Sequence, residues 1–70
     1  MNYAKFKNST TIFIEVDNNL VGRSVFIYNE SAAISTVKVS NKWFGDRYER
    51  CEEKDFKTAL EQAKKMLYML

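Results

Sequence analysis

"TTIFIEVDNNLVGRSVFIY", residues 10–28, decides how this chain folds. From Thr10 to Asp17, Ile12, Ile14 and Val16 alternate with Thr11, Phe13 and Glu15, which is the period-two pattern of a strand. Asn18 and Asn19 interrupt it, and asparagine tolerates the positive φ that a tight hairpin loop needs. Leu20 to Tyr28 resumes as a second strand. With Asn18-Asn19 as a two-residue loop, Val16 faces Val21 and Ile12 faces Val25. An aliphatic face then forms from Ile12, Ile14, Val16, Val21, Val25 and Ile27. Arg23 falls on that face as well, so either it snorkels at an edge or Gly22 marks a bulge that re-aims it.

Working outward, Asn29–Ser31 reads as a three-residue turn. It leads into a third strand that adds Ala33, Ser35, Val37 and Val39 to the aliphatic face. "NKWFGDRYER", residues 41–50, reads as a further hairpin around Gly45-Asp46, a turn with glycine first. Its register sets Phe44 opposite Arg47, Trp43 opposite Tyr48 and Lys42 opposite Glu49. Each such pair is worth about 0.2–1 kcal/mol. Trp43 and Tyr48 then form the wide end of the core, in preference to a base-stacking surface. The N-terminal "MNYAKFK" is expected to be a short extra strand or an arm, with Tyr3 and Phe6 docking it.

The last segment, residues 52–70, is helical. Phe56, Ala59, Leu60, Ala63, Met66, Leu67 and Leu70 make one continuous apolar stripe. Glu52, Glu53 and Asp55 stand where the helix dipole favours anions, and Lys64 and Lys65 lie toward the other end. The expected architecture is α+β: a four-stranded antiparallel β-meander with one C-terminal helix packed on one face. Residues 1–70 form a single domain.

Composition narrows the chemistry. Eleven basic residues against nine acidic ones leave a charge of +2, too little by itself to indicate nucleic acid. The chain has no histidine and one cysteine, Cys51. Ser-His and Cys-His nucleophile pairs, the usual zinc ligand sets and an intrachain disulfide are thereby excluded. No glycine-rich phosphate loop is present, and the RNA-recognition signature [KR]-G-[FY]-[GA]-[FY] is missing. The reading is a chain that is not an enzyme and takes no cofactor or metal. No apolar run approaches the roughly 20 residues of a membrane span, the N-terminus lacks a secretory apolar core, and an unpaired cysteine suits a reducing compartment. The expected location is cytoplasmic.

Parity places Phe13, Phe26, Tyr28 and Phe44 on the face opposite the helix, with Lys38, Lys42 and Arg47 around them. A face carrying four aromatics with nothing left in the chain to cover it marks an interaction site. These seven residues are therefore the expected partner-binding set. The partner would be another protein or a second copy in a homodimer, meeting sheet on sheet. The functional expectation is a non-catalytic binding protein: a stoichiometric inhibitor or accessory protein of phage or mobile-element type, in the manner of anti-defence, anti-CRISPR proteins. That expectation rests on a short, asparagine- and lysine-rich, motif-free chain. Two alternatives differ in class: a single-stranded nucleic-acid module using the aromatic and basic face, and a structural subunit of a larger assembly.

Overall fold

The computed structural model describes residues 1–9 and 11–68. In chain order the elements are β1 (Asn2–Phe6), β2 (Ile12–Val16), β3 (Val21–Tyr28), β4 (Ser31–Lys38), α1 (Asn41–Arg47), β5 (Tyr48–Arg50) and α2 (Glu53–Tyr68). They make one antiparallel sheet in the order β4-β3-β2-β1-β5. The α+β class holds: β1 to β4 are a four-strand antiparallel meander, and the C-terminal helix lies on one face. The first meander strand is the N-terminal segment. Thr10, where the sequence pattern starts its strand, lies outside the described residues.

The β2–β3 hairpin turns on three residues, Asn18, Asn19 and Leu20. The Asp17 carboxylate explains why. Its Oδ1 accepts the N–H of Asn19 at 2.8 Å and of Val21 at 3.1 Å, which extends the loop by one residue. Leu20 then takes φ +59°, a left-handed conformation unusual for leucine, while its side chain packs on a buried cluster. Val16 consequently faces Gly22, and Phe13 faces Val25. A one-residue slip moves every side chain of a strand to the other face. Val25 and Ile27 therefore share a face with Phe13, not with Ile12, Ile14 and Val16.

The β3–β4 hairpin slips the other way. It uses a two-residue turn, Asn29-Glu30, with Asn29 at φ +54°, so Tyr28 faces Ser31 and Val25 faces Ile34. The two slips cancel for β4, so Ala33, Ser35 and Val37 stay on the side of Ile12, Ile14 and Val16. Only β3 is inverted. Arg23 loses its anomaly, because it stands directly opposite Glu15 and bonds it at 2.6 and 2.8 Å. The pairing is continuous through Gly22, without a bulge.

Residues 41–50 are not a hairpin. Ser40 caps α1, its Oγ accepting the Trp43 N–H at 3.2 Å, and Tyr48 closes the helix by donating its N–H to the Phe44 carbonyl. The spacing of Phe44 and Tyr48 suits one helical face, and their rings stack at 6.0 Å. Trp43 still meets Tyr48, edge-on at 5.5 Å, though through a helix end instead of across strands. Glu49 pairs with Lys5 at 3.3 Å, not with Lys42, because β5 adds to the free edge of β1.

Both sheet faces are packed. On one side α2 lays Phe56, Ala59, Leu60 and Ala63 on Val25, with Tyr3, Phe13, Ile27, Ala32 and Ile34 around them. On the other side, Ala4, Ile14, Val16, Val39 and Tyr48 form a second buried cluster flanked by Phe6, Ile12, Leu20, Val37 and Phe44. Strand parity puts the helix on the Ile12, Ile14, Val16 face, and it lies on the opposite one. Its apolar stripe is buried as far as Ala63. Met66 is half-buried, Leu67 is 37% exposed, and Leu70 lies outside the described residues. Among the described residues no helix is long and apolar enough to cross a membrane.

Candidate functional site

The chain leaves β4 at one edge of the sheet and must reach β5 at the other. It crosses the face opposite α2. The Val39 N–H donates to the Leu20 carbonyl at 2.9 Å, and Val39 and Phe44 press onto the cluster around Ile14 and Val16. The crossing ends where Tyr48 pairs with Phe6. This diagonal covers the β1, β2 and β5 part of the face. It leaves open the corner built by the hairpin end of β3 and β4.

That corner is shaped by the register. Ser24 faces Ser35, their hydroxyls 3.0 Å apart, and Phe26 faces Ala33. The floor is thus made of small side chains, and from it rise Phe26 and Tyr28. They are 38% and 57% exposed and stack on each other, with centroids 6.4 Å apart and planes 30° from parallel. The aromatic strip continues inward. Phe26 pairs with Ile12, Phe6 lies on the same side, and Trp43, 44% exposed, sits 6.0 Å from Phe6. Leaving a large apolar side chain in water forgoes about 1.5–3 kcal/mol, so this stacked, exposed pair is a surface with energy to gain on being covered.

The structure separates the seven residues that the sequence pattern groups on one face. Phe26 and Tyr28 are the exposed pair. Phe44 is on the same side but half-buried, stacked on Tyr48 under α1. Lys42 and Arg47 are exposed on α1. Phe13 and Lys38 are on the α2 side, Phe13 packed in the α2 core and Lys38 exposed at the end of β4. The shared face is corrected, and the cause is the slip at Leu20, which inverts β3 against β2. Trp43 is the exposed aromatic that strand parity buries. The signal that finds it is helical: Ser40 as a cap, with Trp43, Phe44, Arg47 and Tyr48 spaced for one turn and the next.

A second concavity, an open cleft of about 890 Å³, lies between α2 and the strands, lined in part by Phe13, Ile27, Cys51, Asp55 and Gln62. Its one thiol is poorly disposed to react. Burial pushes the Cys51 thiol up, and the Asp55 carboxylate adds to this, so it stays protonated at neutral pH. Burial also pushes the Tyr48 phenol up. Comparison of the chain with protein-family models, with curated proteins and with solved structures finds no match.

Proposed function

We propose that the protein is a non-catalytic binding protein of inhibitor or accessory type, which engages a protein partner through the Phe26–Tyr28 corner. The observation that carries this is the stacked, exposed aromatic pair standing on a floor of small side chains that the crossover leaves open. Interface cores are enriched in such aromatics, which supply most of the binding energy when a partner covers them. A protein partner is favoured over single-stranded nucleic acid by the charge placement. A strand-binding platform needs cations along the backbone path beside its stacking rings. Here Ser24, Ser31, Ala33 and Ser35 share the β3–β4 part of the face with the pair, while Lys38 is on the other side of the sheet and Lys42 and Arg47 are on α1. The chemistry of Cys51 adds no nucleophile that would favour an enzyme. The unpaired Cys51 suits a reducing, cytoplasmic setting, and a phage or mobile-element source is part of the same proposal.

The test is Phe26→Asp and Tyr28→Asp, separately and together. Both side chains are exposed, so the circular dichroism spectrum should stay that of the folded chain. Proteins captured by the wild-type chain from a host lysate should be lost with the variants, and reconstituted binding to each captured protein should weaken at least tenfold, about 1.4 kcal/mol. Folded variants that bind the same proteins equally well overturn the reading. Oligonucleotide binding that the same variants abolish, with a steep salt dependence, selects the nucleic-acid alternative instead.

A further inference from the structure

The sheet has two edges of different character. β5 is three residues long and lies between the end of α1 and the segment leading into α2. β4, Ser31–Lys38, is eight residues long, and among the described residues its only backbone ladder is the one to β3. Sheets ordinarily guard such an edge with proline, a bulge, a central charge or a cover. β4 has none of the first three: its pairing is continuous, it has no proline, and Ala32 to Val37 are uncharged. Ile34, Thr36 and Val37 give it strong strand character.

The α2 side of this edge is also unfinished. The helix starts beside β1, where the Cys51 N–H bonds the Tyr3 carbonyl at 3.0 Å and Phe56 packs on Tyr3. Its most extensive packing is against β4, so the helix runs toward that edge. Its stripe ends there in a half-buried Met66 and a Leu67 that is 37% exposed.

We propose that β4 pairs antiparallel with β4 of a second copy, making a homodimer in which the two sheets are continuous. Symmetry restricts how. A two-fold axis relating antiparallel neighbours in one sheet stands perpendicular to the sheet. Facing residues then lie on the same side, and both α2 helices lie on one face. Among the registers this allows, one has complementary ends. Centred on Ile34, it sets Glu30 against the partner's Lys38 at both ends of the ladder and Ala33 against the partner's Ser35. A centre at Ala33 would set Lys38 against the partner's Tyr28, and a centre at Ser35 would set it against the partner's Ala32. Among the described residues neither Glu30 nor Lys38 has an ion-pair partner within its own chain. The Ile34 centre extends the α2 core across the axis and brings the exposed end of each stripe toward its symmetry mate. The two Phe26–Tyr28 corners emerge on one side of the dimer, so the assembly is bivalent.

The experiment is a concentration series by sedimentation equilibrium on the full chain, with Glu30→Lys, Lys38→Glu and the double variant. The wild type should reach twice the mass of one chain. Each single variant replaces two attractions by two repulsions and should weaken dimerisation about tenfold or more. The double variant restores opposite charges across the axis and should recover dimerisation to within about threefold. Glu30 stands in the turn just before β4 and Lys38 at the strand's far end, so an effect confined within one chain would give no rescue. A wild-type chain that stays single overturns the proposal. So does a double variant as weak as the singles, or a dimer indifferent to these charges but lost with Phe26→Asp.

Discussion

Gly22 and Gly45 are the chain's two glycines, and the structure assigns their replacement by alanine opposite signs. At Gly22 a Cβ would fall inside the van der Waals envelope of the Glu15 carbonyl oxygen, 2.8 Å from the Glu15 carbonyl carbon and 2.9 Å from the Val16 Cα. All three are backbone atoms of the neighbouring strand, so nothing flexible can swing away. Relief requires β2 and β3 to part at this end. That loosens the Asp17 N–H to Val21 carbonyl bond of 3.0 Å and the Val21 N–H to Asp17 carboxylate bond of 3.1 Å. Overpacking strain of about 1–3 kcal/mol and two weakened hydrogen bonds at about 0.5–1.5 kcal/mol each give a loss of about 2–6 kcal/mol. A chain of 70 residues has about 4–10 kcal/mol in total, so Gly22→Ala should consume a large share of it. At about 4–8 °C per kcal/mol, the midpoint of thermal unfolding followed by circular dichroism should fall by at least about 8 °C. Gly45 is inside α1, has no positive φ, and a methyl group added there would meet nothing within 4 Å. Gly45→Ala should therefore stabilise by about 0.5–1 kcal/mol through helix propensity alone. Two variants that melt alike, or a Gly22→Ala chain that melts with the wild type, would refute the close approach of β2 to β3.

Phe56, fully buried where α2 meets the sheet beside Tyr3, should cost about 3–5 kcal/mol as Phe56→Ala, while the exposed Lys57→Ala should stay within about 0.5 kcal/mol; urea titration separates the two. Ser40→Ala removes the α1 cap and should cost about 0.5–2 kcal/mol. It should also change the emission of Trp43, whose N–H the cap accepts, as seen by fluorescence along the same titration. Alkaline pH should destabilise the fold. Cys51 and Tyr48 are pushed above their ordinary values of 9.0 and 10.0, so the folded state keeps protons that the unfolded state has released. Their contribution is fully present below about pH 9 and is lost as pH rises through the folded values. The Cys51→Ser, Tyr48→Phe double variant should flatten that slope in melts taken between neutral and alkaline pH.

The chain's own pattern determined the class of fold. Alternation in residues 12–16 and 21–28, and the stripe from Phe56 to Ala63, are local periodicities, and each element must bury its apolar side whatever its neighbours do. The N-terminal strand was legible only as one of two options, because five residues between Met1 and the β1–β2 turn carry too little periodicity to exclude an arm. What tertiary structure decided was which faces meet. The Asp17 carboxylate lengthened one loop by a residue, and Asn29-Glu30 shortened the next, so β3 alone turned over. Both of its faces are apolar enough for either side to be core: Val25 and Ile27 on one, Phe26 and Tyr28 on the other. The Asp17 hydrogen bonds at one turn and the two-residue length of the other, not strand composition, therefore broke the tie. Residues 41–50 show the same limit. Their cross-strand pairs and their helical spacing are both favourable locally. The helix won because β1 offered β5 a free edge and the Ile14–Val16 face needed a cover, two demands set by residues far away in the chain. The exposed Phe26–Tyr28 corner is what remains where that cover runs out.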